Sequence, residues 1–243
     1  MKKVVIVTGG SRGIGAATSK LLASNGYSVC VNYRSNQKQA DEVISNITES
    51  GGIAFSLKAD VSKEADVKHL FSAVNEKYGL VTHLVNNVGV LFTQSSLSEI
   101  SFSRFNEVMA VNVGSCFLCS KEFIAQPLKS GAIVNVSSLA SRSGAPFEYI
   151  DYAASKGAME SLTKGLSIEL AARDIRVNAV RPGFIYTDIH TDGGEPNRVE
   201  RLASQIPLQR GGTPEEVANA IAWLLSDEAS YLTGSFVDIA GGK

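Results

Sequence analysis

The stretch "EYIDYAASKGA" (148–158) sets two phenols, Tyr149 and Tyr152, ahead of one ammonium, Lys156. On a helix, residues four apart share a face, so Tyr152 and Lys156 point together, whereas Tyr149 lies two turns from the lysine. A phenol with an ordinary pKa of about 10 is a poor base near neutrality, and a cation within about 4–6 Å favours its ionised form. The pair therefore reads as a proton donor or acceptor with its tuner. Upstream, "NVSSLAS" (135–141) ends an apolar run in hydroxyls, and Ser138 is a candidate to hydrogen-bond an oxygen on which charge develops, with Ser137 as competitor. Tyrosine and lysine at this spacing are also common on helix surfaces, so the reading depends on a site around them.

A second cluster supplies one. "VTGGSRGIGAATSKLLA" (7–23) places Gly9, Gly13 and Gly15 between an apolar strand and an amphipathic helix. Glycines there permit a tight turn, and the free N–H groups at the helix start face an anion such as a pyrophosphate. The spacing G-x-x-x-G-x-G differs from the G-x-G-x-x-G fingerprint.

Short apolar runs at 4–8, 28–33, 53–60, 83–87, 132–138, 175–183 and 235–242 alternate with helical patterns at 14–25, 38–50, 63–77, 103–124, 152–172 and 214–226. That alternation predicts an α/β fold, a doubly wound, mostly seven-stranded parallel sheet with helices on both faces. Nothing marks a domain boundary, so 1–243 is expected to be one domain, with the polar, glycine-rich 188–212 segment as a substrate lid. In such sheets ligands lie beyond the carboxyl ends of the strands, where all the clusters above fall.

Composition narrows the partners. With 44% apolar residues, 19% charged and a formal net charge of −1, the chain has no basic footprint for nucleic acid or an anionic membrane. The apolar run in "MKKVVIVTGG" is too short for a signal peptide or span, so a cytoplasmic protein is expected. Cys30, Cys116 and Cys119 make no disulfide framework, and the C-x-x-C pair reads as buried helix cysteines. His69, His83 and His190 stand apart, and no metal site is expected.

Taken in order, Thr8-Gly9-x-x-x-Gly13-x-Gly15, "NNVG" (86–89, with Val88 for the usual Ala), "YAASK" (152–156) and "RPGFIYT" (181–187) resemble the short-chain dehydrogenase/reductase family. The resemblance implies hydride transfer between a nicotinamide cofactor and a carbonyl or secondary alcohol, and it distributes roles. Asn112, Ser138, Tyr152 and Lys156 would form the catalytic set, Asn112 as the asparagine thought to kink its helix and hold a water leading to the lysine. Gly9, Ser11, Arg12, Gly13, Ile14 and Gly15 would hold the pyrophosphate end, Asp60 and Val61 the adenine, and Asn86 and Gly89 the adenosine side. Pro182, Gly183, Ile185 and Thr187, with Tyr152 and Lys156, would surround the nicotinamide ribose and ring. By itself Asp60 also reads as a helix cap.

The second strand ends "VNYRS" without an acidic residue, and Arg34 there with Arg12 in the turn could clamp a 2′-phosphate, which favours NADP(H) over NAD(H). The family also implies a homotetramer, with the 155–170 helix and the C-terminal strand in its interfaces. Its 3-oxoacyl-carrier-protein reductases and sugar or polyol dehydrogenases are alternative activities, with Lys129 and Arg173 as possible contacts for an acidic carrier. A nucleotide-sensing protein without chemistry is the alternative from another class.

Overall fold

The computed structural model describes residues 2–243. Seven strands, β1 (Val4–Val7), β2 (Ser28–Tyr33), β3 (Ile53–Lys58), β4 (His83–Asn86), β5 (Gly131–Val136), β6 (Ile175–Pro182) and β7 (Phe236–Ile239), form one sheet in the order β3-β2-β1-β4-β5-β6-β7. Every pairing is parallel. The order reverses between β1 and β4, and this switch point opens the crevice that a doubly wound sheet offers to a ligand.

The central strands are apolar on both faces because helices cover both. On one face α1 (Gly13–Ser24), α2 (Gln37–Glu49) and α10 (Pro214–Leu225) bring Leu22, Val43, Ile47, Val217 and Ile221 onto Val5, Val7, Val29 and Val134. On the other, α3 (Glu64–Tyr78) and α5 (Ser115–Ala125) bury Val67, Leu70, Phe71, Val74 and Phe123 against Ile6, Leu84 and Ile133. Each such side chain contributes about 1.5–3 kcal/mol. Capping fixes the helix starts: Thr213 and Glu216 form a capping box on α10 with Pro214 in its first turn, and Asn36 accepts from the Gln39 N–H on α2.

The predicted helix at 103–124 is continuous but not uniform. After α4 (Phe102–Val108), residues Met109–Gly114 widen into a π-helical turn before α5 resumes. Such bulges re-aim a side chain, here that of Asn112. The helix is long and apolar enough to cross a membrane, but it packs against α3, β4 and α7 (Ile150–Glu169) as a sheet-covering element.

Several strands end before their apolar runs do. Residues 59–60, 87 and 137–138 lie just past the strand ends and line the crevice, although the Ala59 and Ser137 N–H groups still donate to the Tyr33 and Val180 carbonyls at 2.9 Å each. The 188–212 segment is not featureless: it holds two short helices, α8 (Ile189–Asp192) and α9 (Arg198–Leu202). A four-residue helix, α6 (Ala140–Ser143), precedes α7.

Candidate active site

A cleft of about 1030 Å³ lies beyond the carboxyl ends of the strands and receives residues from the glycine turn, the ends of β2 to β6, α7 and the lid. Its first wall is the turn after β1. Gly9 (φ +60°) and Gly13 (φ +51°) hold left-handed backbone, which an L side chain would strain. Arg12 sits at the N-cap of α1 without capping it through its side chain, so the first N–H groups of the helix stay open to an anion. Ser11, Arg12, Gly13 and Ile14 line the cleft. Gly15 does not, a correction to its expected contact. A Cβ at Gly15 would collide with the Gly9 carbonyl oxygen, so this glycine lets the helix pack under the turn.

What pins the turn is Asn87. Its amide donates to the carbonyls of Thr8 (3.0 Å) and Gly9 (3.1 Å), while its own N–H donates to the Thr8 hydroxyl. Asn32 on β2 accepts the Gly9 N–H at 3.4 Å and donates to the Ala59 carbonyl, joining three strand ends. Neither residue is among those expected from the sequence.

Asn86, which is, faces away from the cleft. It is the last paired residue of β4, and it donates to Asn135 (2.8 Å) and Ser120 (3.2 Å) in the interior. Alternation along a strand sends residues 86 and 87 to opposite faces, and it is Asn87 that faces the site. Val88 packs where a Cβ at Gly9 would come within 3.3 Å, so the bulkier side chain props the turn.

Beyond the end of β2, Arg34, Ser35, Asn36 and Gln39 line the cleft together with Asp60 and Val61. Asp60 accepts from the Ser62 hydroxyl (2.6 Å) and N–H (3.2 Å), a local turn that shapes the loop; these bonds outweigh burial and hold its carboxyl below the usual range. Arg12 lines the same cleft as Arg34. It donates to Asp192 of the lid at 2.5 Å, and both side chains are about half exposed (48% and 43%). Both arginines of the clamp expected from the sequence thus line the cleft, with Arg12 also paired to α8.

The opposite wall carries the proposed chemistry. Ser138 follows β5 and its hydroxyl accepts the Ala140 N–H at 3.1 Å. Ser137 is turned into the wall: its hydroxyl donates to Glu160 (2.9 Å) and the Lys156 carbonyl (3.3 Å). Ser138 is thus the hydroxyl left for a ligand. It lies beside Tyr152, one turn ahead of Lys156 on α7.

Burial pushes the Tyr152 phenol up to about 12, against which the Ser138 hydroxyl pulls it down. Lys156 is 2% exposed, and burial lowers its ammonium to about 8. Its Nζ donates to the Val136 carbonyl at 2.8 Å and lies 5.5 Å from the Tyr152 ring centroid. Desolvation sets the direction of both shifts, and the ammonium is directed at the Val136 carbonyl and the Tyr152 ring face.

Asn112, fully buried in the π turn, does not line the cleft. Its carboxamide clasps Val90 by both groups (N–H donor 2.7 Å, carbonyl acceptor 3.2 Å) and donates to Ser155 at 2.9 Å. It positions the 88–91 loop against α7. Gly89 fits between: a Cβ there would sit 3.3 Å from Lys156 Nζ and 3.8 Å from Asn112 Oδ1.

Pro182, Gly183, Ile185 and Thr187 complete the wall after β6, and Thr187 meets the turn at Gly13. Asp188, Ile189, His190 and Arg198 of the 188–212 segment continue the lining. Arg198, 6% exposed, donates to Glu148 and Glu195 and stacks on Tyr149 and Phe184, with Tyr149 lining the substrate end. Glu195 is a local partner three positions before Arg198, whereas Glu148 is fifty positions away and is fixed only by the fold. Lys129 and Arg173 lie just before β5 and β6, at the sheet edge opposite the cleft, and Arg173 is spent on the Ile124 and Gln126 carbonyls. Neither forms a basic patch beside the site. Cys116 and Cys119 are buried free thiols, pushed up by burial.

An all-parallel sheet with an open glycine turn and a hydroxyl, phenol and ammonium across from it defines a nucleotide-dependent oxidoreductase. Residues 9–243 match the family described as Enoyl-(Acyl carrier protein) reductase. The uncharacterized oxidoreductase YgfF of Escherichia coli is 57% identical over 99% of both chains. A 3-oxoacyl-[acyl-carrier-protein] reductase of Staphylococcus epidermidis is 37% identical over 100% of this chain and 99% of its own. Glucose 1-dehydrogenase 2 of Bacillus subtilis is also 37% identical, over 99% and 94%. A Serratia marcescens short-chain dehydrogenase/reductase, solved as a doubly substituted mutant, superposes with a TM-score of 0.90 at 36% identity over 99% and 97% of the two chains. The chain belongs to the short-chain dehydrogenase/reductase family, whose members bind NAD or NADP.

Proposed function

We propose that this protein is an NADP(H)-dependent oxidoreductase that interconverts a small carbonyl compound and its secondary alcohol. The observation that carries the reading is the meeting of Ser138, Tyr152 and Lys156 on one wall of the cleft into which the glycine turn opens. The nicotinamide group supplies or accepts the hydride when bound. Gly9, Ser11, Gly13 and Ile14 would hold its pyrophosphate, Asp60 and Val61 its adenine, Arg34 a 2′-phosphate, and Pro182, Gly183, Ile185 and Thr187 its nicotinamide end.

The chain's own residues handle the oxygen and the proton. Ser138 donates a hydrogen bond to the carbonyl oxygen and orients it, and Tyr152 gives that oxygen a proton as charge develops. A phenol raised to about 12 is fully protonated at neutral pH, which suits the reducing direction. Lys156, an ammonium below about pH 8, offsets the phenolate left behind and would bind the nicotinamide ribose. Asn112 holds the 88–91 loop that closes this corner.

The 188–212 segment acts as the lid, tied to the substrate loop by Arg198 and Glu148. Free thiols fit a reducing, cytoplasmic compartment. Exposed Ile168 on α7 fits the homotetramer expected of the family.

Relatives named for carrier-bound acyl substrates and for glucose stand at the same 37% identity, so both enter the test. Purified protein with NADPH is offered ethyl acetoacetate, cyclohexanone and acetoacetyl-carrier protein, and with NADP is offered glucose and sorbitol, while absorbance at the nicotinamide band is followed. Turnover of a member is expected. Nucleotide binding with no turnover across the panel would favour a sensor instead.

A further inference from the structure

Behind the proposed catalytic wall lies an ionic cluster, centred on Glu160, to which the mechanism above gives no role. Glu160 follows Lys156 by one helical turn and Tyr152 by two, so the three share a face of α7. Its Oε1 accepts three donors: the Ser137 hydroxyl (2.9 Å), the Ser141 hydroxyl (2.5 Å) and Arg181 Nε (2.6 Å). Its Oε2 accepts Arg181 Nη2 at 2.6 Å, a bidentate pair with both side chains 15% exposed. Arg181 also pairs with Asp238 (3.3 Å), its register partner on β7, and stacks 4.4 Å from the Phe236 ring centroid. Asp238 in turn holds Arg142 of α6 at 2.7 Å.

The Ser138 hydroxyl lies inside this frame without bonding to it, whereas the Ser138 backbone is held by it. The residue before it, Ser137, bonds Glu160 directly. Its own carbonyl accepts the Ser141 hydroxyl at 2.7 Å, and that hydroxyl is the one shared with Glu160. The backbone on both sides of Ser138 is thus referred to one carboxylate on the helix that carries Tyr152 and Lys156. Arg181 refers the same carboxylate to β6, immediately before Pro182 and Gly183. Charge-assisted, bidentate bonds are the short and directional kind, suited to fixing geometry rather than adding stability.

We propose that Glu160, held by Arg181, is a positioning residue that sets the Ser138 hydroxyl against the Tyr152 phenol. The assignment rests on the function proposed above. Hydroxyl and phenol come from different elements, a loop after β5 and a helix, and only a link between those elements can keep both on one substrate oxygen. A displacement of about 1 Å at such a site costs up to about a hundredfold in rate.

The test is a cycle of Glu160→Gln and Ser138→Ala. It is read as kcat and KM on the carbonyl that the panel reduces fastest, with NADPH affinity measured by fluorescence titration. Glu160→Gln alone is expected to lower kcat about tenfold or more while KM and NADPH affinity stay within about twofold. In the Ser138→Ala background, assayed at high enzyme concentration, the same change should cost less than about twofold, since no hydroxyl is left to aim. An unchanged kcat, or an equal loss in both backgrounds, overturns the proposal.

Should Glu160→Gln fail to fold, Ser141→Ala decides. It cuts the bridge to the Ser138 carbonyl and keeps the Glu160–Arg181 pair, so a several-fold loss of kcat is expected and an unchanged kcat refutes the claim. Tyr152→Phe serves as the control for the parent reading. If that variant still turns over, the catalytic assignment itself falls; if it is dead while Glu160→Gln behaves as wild type, only the positioning role falls.

Discussion

The two halves of the cleft are built from different materials. Around the turn after β1, geometry is set by backbone: glycines at positive φ, a helix start without a side-chain cap, and amides of Asn87 and Asn32 tied to main-chain groups. Across the crevice, geometry is set by charged side chains in pairs: Glu160 with Arg181, Arg198 with Glu148 and Glu195, and Arg104 with Asp151. A constant ligand such as a dinucleotide is met by main chain, which one short motif can specify. A variable substrate is met by loops that must be braced, and their braces come from distant parts of the chain.

If that contrast is real, the cofactor half should fail by sterics and the substrate half by charge. The largest effect is expected at Gly15. In Gly15→Ala the new methyl meets the Gly9 carbonyl, a backbone atom that cannot swing aside. Overpacking of this kind costs typically about 1–3 kcal/mol, so NADP(H) affinity should drop by more than about tenfold in a fluorescence titration. Affinity equal to wild type would mean the turn yields, and the rigid-backbone account of this half would be wrong.

Next in size is Lys156→Met. A buried lysine lowered from 10.5 to about 8 opposes folding below pH 8, and this cost fades as pH rises from 8 to 10.5. The sign follows from proton counts, since the unfolded chain binds more protons in that window and stability therefore rises with pH. The shift corresponds to roughly 3 kcal/mol. Orphaning the Val136 carbonyl returns about 1 kcal/mol of it. The variant should gain about 2 kcal/mol in denaturant unfolding at pH 7, lose that advantage by about pH 10.5, and lose most turnover. A loss of stability at pH 7 would show that the charge is better solvated than its burial implies.

The smallest effect is expected at Asp192→Asn. The Arg12–Asp192 pair is half exposed and worth at most about 1 kcal/mol. Releasing Arg12 from the lid should strengthen NADPH binding by a few fold and leave NADH binding unchanged. Equal effects on both nucleotides would remove Arg12 from 2′-phosphate recognition.

The sheet, its helices and the Tyr152–Lys156 pair were legible because each depends on spacing within about a dozen residues. The same locality explains the misreadings. Asn86 and Asn87 are adjacent and chemically equal, and only the register of β4, which ends on the pair Asn86 and Asn135, decides which one faces the turn. Arg12 looked free because its partner lies 180 positions later. Gly15 lets α1 pack under the turn, a close approach that the glycine spacing does not by itself reveal. Glu160 and Asp238 carried no motif, and Arg181 opens "RPGFIYT" without a role of its own there, since an ion pair between a helix and two strands leaves no periodic trace. Burial of Tyr152 and Lys156, which sets the direction of both shifts, has no signature in their spacing.

The central claim is that Tyr152 delivers the proton from the wall that Ser138 and Lys156 share. The most direct measurement is single-turnover reduction of the best carbonyl substrate by NADPH-loaded Tyr152→Phe protein, with NADPH affinity measured in parallel. The account predicts a rate lower by at least about a thousandfold with NADPH affinity within about twofold of wild type. A rate within about tenfold of wild type would contradict it.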